Sequence, residues 1–433
     1  MRRMVLAVVA LVVAGVVVSA ADWPEWRGVK RDGTVQGFVA PAVWPDTLRE
    51  VWSATLPKGD ASPVLAAGKL FVTGRAGDTE VITALDAATG KELWKDTYAA
   101  PFPSCIYNDE LGRYENAGTY GVGGPVPKST PIVRDGRVYA YGVSGVISVL
   151  NANNGEVLWR KDAPRGQGAP MVGSTMSPII DNNLLFIHLP GSQAAIKCPH
   201  LPASDARGAL VAYDALTGKE RWRWAGDGAA YGSPLVVTLG GIRQVVSITE
   251  RRIVGVAAAT GRLLWERPLQ SPDDQNIPSP ILYGDTIIYA ALENPIVAIR
   301  PVKTGDTWTA EKVWENRSHE LFMNTPVLVG DVAYGFSYKL KGHYFTLNAR
   351  TGETLWAGPG RVGENVSIQL ADGHLLMLEN DGELVVARPA GNTFDVVKRY
   401  TVANSQTWAH PIIDGKRIIV RGTDGKVTTW TLP

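Results

Sequence analysis

Few residues of this 433-residue chain have the types and spacing that metal binding or catalysis requires. The two cysteines, Cys105 and Cys198, are too few and too far apart for a multi-cysteine zinc or iron–sulfur site. No serine lies in the strand–turn–helix context of a nucleophile elbow. The histidines are scattered, and no two have metal-ligand spacing along one strand; they lie at positions 188, 200, 319, 343, 374 and 410.

The charges of the chain are balanced. Lys and Arg number 43 and Asp and Glu 42. Removal of residues 1–20, which carry Arg2 and Arg3 and no acid, leaves 41 against 42 and a net charge of −1. Non-specific nucleic-acid binding depends on neutralising phosphates, so this balance excludes it. Docking on anionic lipid by charge is excluded for the same reason.

The N-terminus has the pattern of an export signal. Arg2 and Arg3 precede an unbroken apolar run over residues 4–18, and the small residues Ser19 and Ala20 follow. We predict a signal peptide over residues 1–20, cleaved near Ala20, and a periplasmic or secreted protein. The alternative is an uncleaved anchor. No later window is apolar enough to span a membrane, so none is expected in the mature chain.

The main signal is a repeated phrase. Residues 84–94 read ALDAATGKELW and residues 212–222 read AYDALTGKERW, and weaker copies end at Trp159, Trp265 and Trp356. In these copies a glycine stands four residues before the tryptophan, whereas the copies at Gly305 and Gly391 carry five extra residues. An alternating strand, a turn closed by glycine and a second strand predict a β-hairpin.

A second element precedes each phrase and sets the architecture. Ser/Thr-Pro followed by apolar residues recurs, as in Ser62-Pro63-Val64 and Thr130-Pro131-Ile132, so each unit contains four short strands. The period of about 40–45 residues is typical of a propeller blade. The fold class predicted is all-β, an eight-bladed propeller of four-stranded antiparallel blades over residues 48–433, after an extension at 21–47. The last unit lacks a fourth strand, which residues 49–54 can supply.

These residues resemble the tryptophan-docking motif of the pyrroloquinoline quinone-type propellers. The resemblance covers essentially residues 48–433, and the mature N-terminus, DWPEWRG, looks like the leader of exported bacterial members. It implies that each docking tryptophan stacks on the glycine turn of the adjacent blade and is structural. The residues so assigned are Trp52, Trp94, Trp159, Trp222, Trp265, Trp314 and Trp356.

The family that this chain resembles includes both enzymes and scaffolds. Its dehydrogenases hold the quinone against a ring made by two adjacent cysteines, with calcium bound by acidic side chains and an Asn. This chain has neither the adjacent pair nor a visible acidic cluster. The preferred interpretation is therefore an exported, monomeric, non-catalytic scaffold without cofactor, which binds an envelope protein, a peptide or a glycan. The alternative is an enzyme that uses pyrroloquinoline quinone with calcium, or one that acts on a saccharide.

Two insertions, at about residues 98–128 and 190–207, predict the binding face. One precedes the first strand of a blade and the other joins a second strand to a third, so both belong to one rim of the propeller. The candidate partner residues on this rim are Arg75, Tyr107, Asp109, Arg113, Tyr114, Glu250, Arg251, Glu293, Lys339, Arg421 and His410. Solvated turn charges are the alternative explanation for the charged members.

The two cysteines lie in these two insertions. An oxidising compartment and the even count favour a Cys105–Cys198 disulfide between the neighbouring loops. The alternative is two unpaired thiols, one or both of which are buried as small apolar residues.

Overall fold

The computed structural model describes residues 22–101, 105–108, 113–116, 126–162, 173–190, 208–272 and 275–432. For residues 105–108 and 113–116 it describes the backbone only. The predicted signal peptide and the candidate Asp109 lie outside these ranges. Cys198 does too, and only the backbone of Cys105 is described, so the disulfide stays a prediction.

Eight antiparallel four-stranded blades form a propeller ring, as predicted. We name the strands of each blade A to D from the channel outwards. Blades 1 to 4 have these strands: Val64–Ala66, Lys69–Ala76, Thr79–Asp86 and Glu92–Ala99; Ile132–Arg134, Arg137–Tyr141, Ile147–Asn151 and Val157–Lys161; Ile179–Asp181, Leu184–Leu189, Ala209–Asp214 and Glu220–Trp224; Leu235–Leu239, Ile242–Ile248, Arg252–Ala257 and Leu263–Pro268.

Blades 5 to 8 continue the order. Their strands are Ile281–Tyr283, Thr286–Tyr289, Ile296–Thr304 and Thr307–Asn316; Val327–Val329, Val332–Ser337, His343–Asn348 and Thr354–Ala357; Val366–Ala371, His374–Glu379, Glu383–Ala390 and Thr393–Thr401; Ile412–Asp414, Arg417–Arg421, Lys426–Thr431 and, as strand D, Arg49–Thr55. A hairpin, Cys105–Asn108 with Arg113–Asn116, and a short 3-10 turn, Lys339–Lys341, complete the described elements outside the blades and the N-terminal segment.

The ring closes through its N-terminal strand. Arg49–Thr55 pairs antiparallel with Lys426–Thr431, so the first part of the chain completes blade 8. Further upstream, Thr34–Val35 adds a parallel strand beside strand A of blade 7. In the described part of the chain, no helix is long and apolar enough to cross a membrane.

The hydrophobic core is divided among the spaces between neighbouring blades. Side chains of blades 2 and 3 form one such cluster, which includes Tyr141, Val149, Leu185 and Val211. Every sheet thus buries both faces, which explains the nearly continuous apolar strands. Burial of each such large side chain contributes roughly 1.5–3 kcal/mol.

Tryptophan contacts join blades at the rim. The Trp94 ring lies against Gly155 of blade 2, where a Cβ would come within 2.7 Å of the indole, and its Nε1 donates to the Ala152 carbonyl at 3.2 Å. Gly155 also has a φ of +76°, so glycine is required there for two reasons. Equivalent ring contacts join Trp52 to Gly90, Trp159 to Gly218, Trp222 to Gly261 and Trp314 to Gly352.

Two of the tryptophans assigned to docking do not make this contact. A Cβ at Gly305 or Gly391, in the blades that follow Trp265 and Trp356, would meet nothing within 4 Å. The physical reason is the longer C–D hairpin of blades 5 and 7, which carries its turn glycine away from the preceding blade. Trp265 instead donates to Gln244 Oε1 within its own blade at 2.7 Å.

Candidate functional site

The channel is ringed by hydroxyl groups from the Ser/Thr-Pro elements. We call the segment from strand D of one blade to strand A of the next a link. In five links the Ser or Thr hydroxyl accepts the backbone N–H of the equivalent residue in the preceding blade, at 2.8–3.1 Å. The bonds run from Thr130 to Ser177, Ser177 to Ser233, Ser233 to Ser279, Ser279 to Thr325 and His410 to Ser62.

This ring explains the residue types. In the blades that donate these bonds, strand A has no neighbouring strand on its channel side, so the N–H just before the strand needs a side-chain acceptor. The proline that follows has no N–H and adds no further unpaired donor at this inner edge. The ring also joins blade 8 to blade 1, because the His410 N–H donates to Ser62 Oγ.

The N-terminal segment closes one end of the channel. Asp22 accepts the N–H of Ala67 in the A–B turn of blade 1, and Asp372 in the A–B turn of blade 7 accepts that of Ala40. The chain between them therefore enters and leaves from the side of the A–B and C–D turns, which we call the turn face. We call the opposite side, with the links and B–C turns, the link face.

Three buried charged side chains fix this segment, which we call the plug (residues 22–35). The Arg27 guanidinium donates to the carbonyls of Thr325 and Pro326, both at 2.8 Å, and burial lowers its pKa to about 10. Arg31 donates to Glu25 and to the Pro178 carbonyl at 3.0 and 2.9 Å. The plug thus contacts blades on opposite sides of the ring.

Trp26 and His410 meet where the plug reaches the hydroxyl ring. Their rings pack edge to face with centroids 4.4 Å apart. Burial, and secondarily the charge of Arg27, lower the pKa of His410 to about 3. The imidazole is therefore neutral at physiological pH.

Above Trp26 lies a cavity of about 300 Å³, which we call the channel cavity. It faces the link face, and all its lining residues except Trp26 belong to links. All eight blades contribute to a lining of Trp26, Asp60, Lys128, Thr175, Ser177, Tyr231, Ser233, Gln275, Ile277, Ser279, Met323, Thr325, Asn365 and Trp408.

The lining has a charged side and an apolar side. Asp60 and Lys128 come from blades 1 and 2, whereas Ile277 and Met323 come from blades 5 and 6 across the ring. Burial raises the pKa of Asp60, and the positive charges of Lys128 and Arg421 oppose this shift. Burial also lowers the pKa of Lys128, against the opposing effect of Asp60. The two lining charges are of opposite sign, so the cavity has no strong preference for a charged ligand.

Several lining residues have polar atoms without a partner. Trp26 Nε1, Asp60 Oδ2, Asn365 Oδ1 and Trp408 Nε1 are buried and find no hydrogen-bond partner among the described residues. A buried polar atom without a partner costs about 1–3 kcal/mol. Others occur elsewhere in the described chain, for example Trp308 Nε1 and Thr429 Oγ1. What distinguishes these four is that they converge on one cavity, where a ligand or ordered water can reach them.

The predicted rim residues are not brought together in this cavity. Arg75 is buried within blade 1, where it donates to the Ala100 carbonyl and pairs with Asp78. Arg421 is 1% exposed and donates to the carbonyls of Ala61 and Pro57. The alternative explanation, a solvated charge in a turn, is wrong for both residues. Their guanidinium groups are buried and donate hydrogen bonds from the end of strand B to neighbouring backbone carbonyls.

The other rim candidates differ in the exposure of their side chains. Arg251, Glu293 and Lys339 are exposed on the link face, and Glu250 is buried in its turn. Tyr107, Arg113 and Tyr114 are described as backbone of the hairpin only. Sequence analysis missed the cavity lining because its Ser/Thr-Pro residues were interpreted as strand starts, although their recurrence in six of the eight blades was the available signal.

The described residues do not fit a calcium-dependent quinone site. A calcium ion takes about six to eight oxygen ligands, several of them carboxylates. Among the described residues, the cavity lining offers a single carboxylate, Asp60, whose charged form burial disfavours. No group of three His, Cys, Asp or Glu side chains that could hold a metal occurs in the described ranges.

The fold and its repeats define the class of protein: a PQQ-like eight-bladed propeller, related to BamB and to quinoprotein dehydrogenases. A family model described as outer membrane protein assembly factor BamB matches residues 32–200, 199–311 and 302–430. The chain belongs to this family.

The relatives include both BamB proteins and quinohemoprotein dehydrogenases. BamB of Shewanella oneidensis is 22% identical over 408 residues, which cover 88% of each chain. The quinohemoprotein alcohol dehydrogenase ADH-IIG of Pseudomonas putida is 28% identical over 170 residues, 38% of this chain and 19% of the enzyme. The structure of BamB from Moraxella catarrhalis has a TM-score of 0.61 at 15% identity, covering 89% of this chain and all of that one, which shows the shared fold.

Proposed function

We propose that this chain is an exported, non-catalytic scaffold of the bacterial envelope that holds a protein partner during outer membrane protein assembly. The observation that carries the proposal is the BamB family match, which extends over residues 32–430. The relative from Shewanella oneidensis supports the same role, because it matches over nearly the whole of both chains. In contrast, the similarity to the alcohol dehydrogenase spans 19% of that enzyme.

The link face is the proposed partner surface. Both long insertions leave and return there, because residues 101 and 126 join strand D to strand A and residues 190 and 208 join strand B to strand C. Long loops on a compact scaffold are usually functional. The exposed side chains of Arg251, Glu293 and Lys339 lie on the same face.

The remaining features of the proposal concern the chain as a whole. Residues 1–20 would direct export, residues 21–47 would form the extension, and residues 48–433 the propeller. A periplasmic or secreted monomer fits this division, because Arg49–Thr55 closes the ring within one chain and no second copy is needed.

Site-specific photo-crosslinking in the native bacterium tests the partner surface. A benzophenone amino acid is placed at Arg251 or Glu293 on the link face, and at Leu216 or Arg350 in C–D turns of the turn face as matched exposed controls. We expect crosslinks to an outer membrane assembly component from the link face only. Deletion of the gene should also lower the abundance of outer membrane proteins. Equal crosslinking from both faces, or unchanged abundance, would contradict the proposal.

A further inference from the structure

We propose that the channel cavity binds a small, neutral, polyhydroxylated ligand of the size of a sugar ring. This site is separate from the link-face partner surface, and its ligand does not depend on the proposed scaffold function. The cavity volume of about 300 Å³ corresponds to about ten water molecules at ~30 Å³ each, which is within the range of small-molecule sites.

The hydrogen-bonding needs of the lining define the chemical class. Asp60 Oδ2 and Asn365 Oδ1 need donors, whereas the indole N–H groups of Trp26 and Trp408 need acceptors. Hydroxyl groups meet both needs, because each one donates one hydrogen bond and accepts others.

The hydroxyl ring adds donors to the same surface. The oxygens of Ser177, Ser233, Ser279 and Thr325 each accept one backbone N–H, and none of the four donates a hydrogen bond to another described residue. Each hydroxyl proton therefore remains available to an oxygen in the cavity. A ligand rich in oxygen atoms is favoured over an apolar one.

Charge and shape narrow the class further. The described part of the lining carries one carboxylate and one ammonium group, Asp60 and Lys128, so a neutral ligand avoids an uncompensated buried charge. The indole rings of Trp26 and Trp408, together with Ile277 and Met323, offer apolar surface to the C–H groups of a ring. A sugar or cyclic polyol presents both kinds of surface.

The plug makes this cavity closed at one end. Trp26 forms its floor, and Arg27 and Arg31 fix the segment that carries Trp26 to the backbone of blades 6 and 3. A ligand can therefore be enclosed between the plug and the links rather than pass through the ring.

Saturation-transfer difference NMR on the full mature chain tests the proposal. The neutral probes are D-glucose, N-acetyl-D-glucosamine, myo-inositol and maltose, and the charged probes are D-glucuronate and D-glucosamine. We expect at least one neutral probe to bind, and more tightly than its charged analogue.

Variants assign the binding to the cavity. Asp60→Asn keeps the shape and removes the charge, and Trp408→Leu removes the indole. We expect each to weaken binding by about tenfold or more, as loss of a buried hydrogen-bonded or stacked contact does. Asp306→Asn, which makes the same charge change at an exposed hairpin turn, should leave binding unchanged.

Three results would overturn the proposal. These are no binding of any neutral probe at tens of millimolar, tighter binding of a charged probe, or equal binding by Asp60→Asn and the parent. Because Asp60→Asn is isosteric, its melting curve separates lost binding from lost folding. Photo-crosslinking from the link face reports separately on the scaffold function, so failure of one does not imply failure of the other.

Discussion

The two ends of the channel are built from the same blades but differ in how completely their buried polar groups are hydrogen-bonded. At the turn-face end, Glu25 pairs with Arg31 and Arg134, and Arg27 donates to three carbonyls, although its Nε has no partner among the described residues. At the link-face end, Asp60, Asn365, Trp26 and Trp408 each retain a buried polar atom with no partner in the described residues. Satisfied buried polar groups support the fold, whereas unsatisfied ones around a cavity indicate binding.

The largest effect is expected from breaking the satisfied end. Arg27→Ala would leave the carbonyls of Thr325, Pro326 and Asp32 without this donor. We expect the free energy of unfolding to fall by roughly 3 kcal/mol in urea titrations. Lys30→Ala, at an exposed position of the same segment, is the control. Equal stability of the two variants would mean that the plug does not support the ring.

A second substitution tests whether the hydrogen bonds of a buried side chain, or its position along the channel, determine its contribution to stability. Arg421 lies near the link-face end, yet its guanidinium donates to two carbonyls, so Arg421→Ala should destabilise by roughly 2–3 kcal/mol. Arg251→Ala, at an exposed turn, should change stability by less than about 0.5 kcal/mol. If Arg421→Ala left the urea midpoint unchanged, position along the channel, and not hydrogen bonding, would determine how much a buried arginine contributes to stability.

The pH dependence of stability gives an intermediate effect. His410 has a folded pKa of about 3, well below the ordinary value of 6.5, because it is buried. The unfolded chain therefore takes up the proton first as pH falls. As the pH falls from 7 to 5, burial of the neutral His410 should lower the free energy of unfolding by about 2 kcal/mol. His410→Leu should reduce the loss measured over this range, and an identical slope in the variant would refute the assignment.

The smallest effect is expected at the unsatisfied end. Burial raises the pKa of Asp60, so the folded state favours its protonated form. Its contribution is present below the unfolded pKa and is lost as pH rises through the folded pKa. Asp60→Asn should therefore be slightly more stable than the parent at pH 7, and this difference in unfolding free energy should shrink towards pH 4.5. Destabilisation at pH 7, measured by urea titration, would show that Asp60 is structurally paired.

The fold was largely predictable from local patterns. The Gly–Trp phrase and the Ser/Thr-Pro element repeat in the chain, so blade number and closure by Arg49–Thr55 followed from counting. The docking of Trp265 and Trp356 was mispredicted, because it depends on the length of the hairpin in the next blade and not on their own phrase.

The candidate site was not predictable in the same way. Ser177 and Thr325 read as strand starts, and they share a cavity only because the ring brings eight links to one axis. Likewise, Glu25, Arg27 and Arg31 look like solvated charges in the sequence. The burial of Arg27 and Arg31 depends on carbonyls more than a hundred positions away, and that of Glu25 on Arg134 of blade 2, which no local pattern reveals.

The pairing of Arg49–Thr55 with Lys426–Thr431 also sets an order of events during synthesis. Arg49–Thr55 must wait until seven blades and Lys426–Thr431 have been made before it finds its partner. Until then blade 8 is incomplete, and its unpaired edges can associate with other chains. Ring closure is therefore a late step in folding, and a truncation that removes Lys426–Thr431 would leave Arg49–Thr55 permanently without its partner.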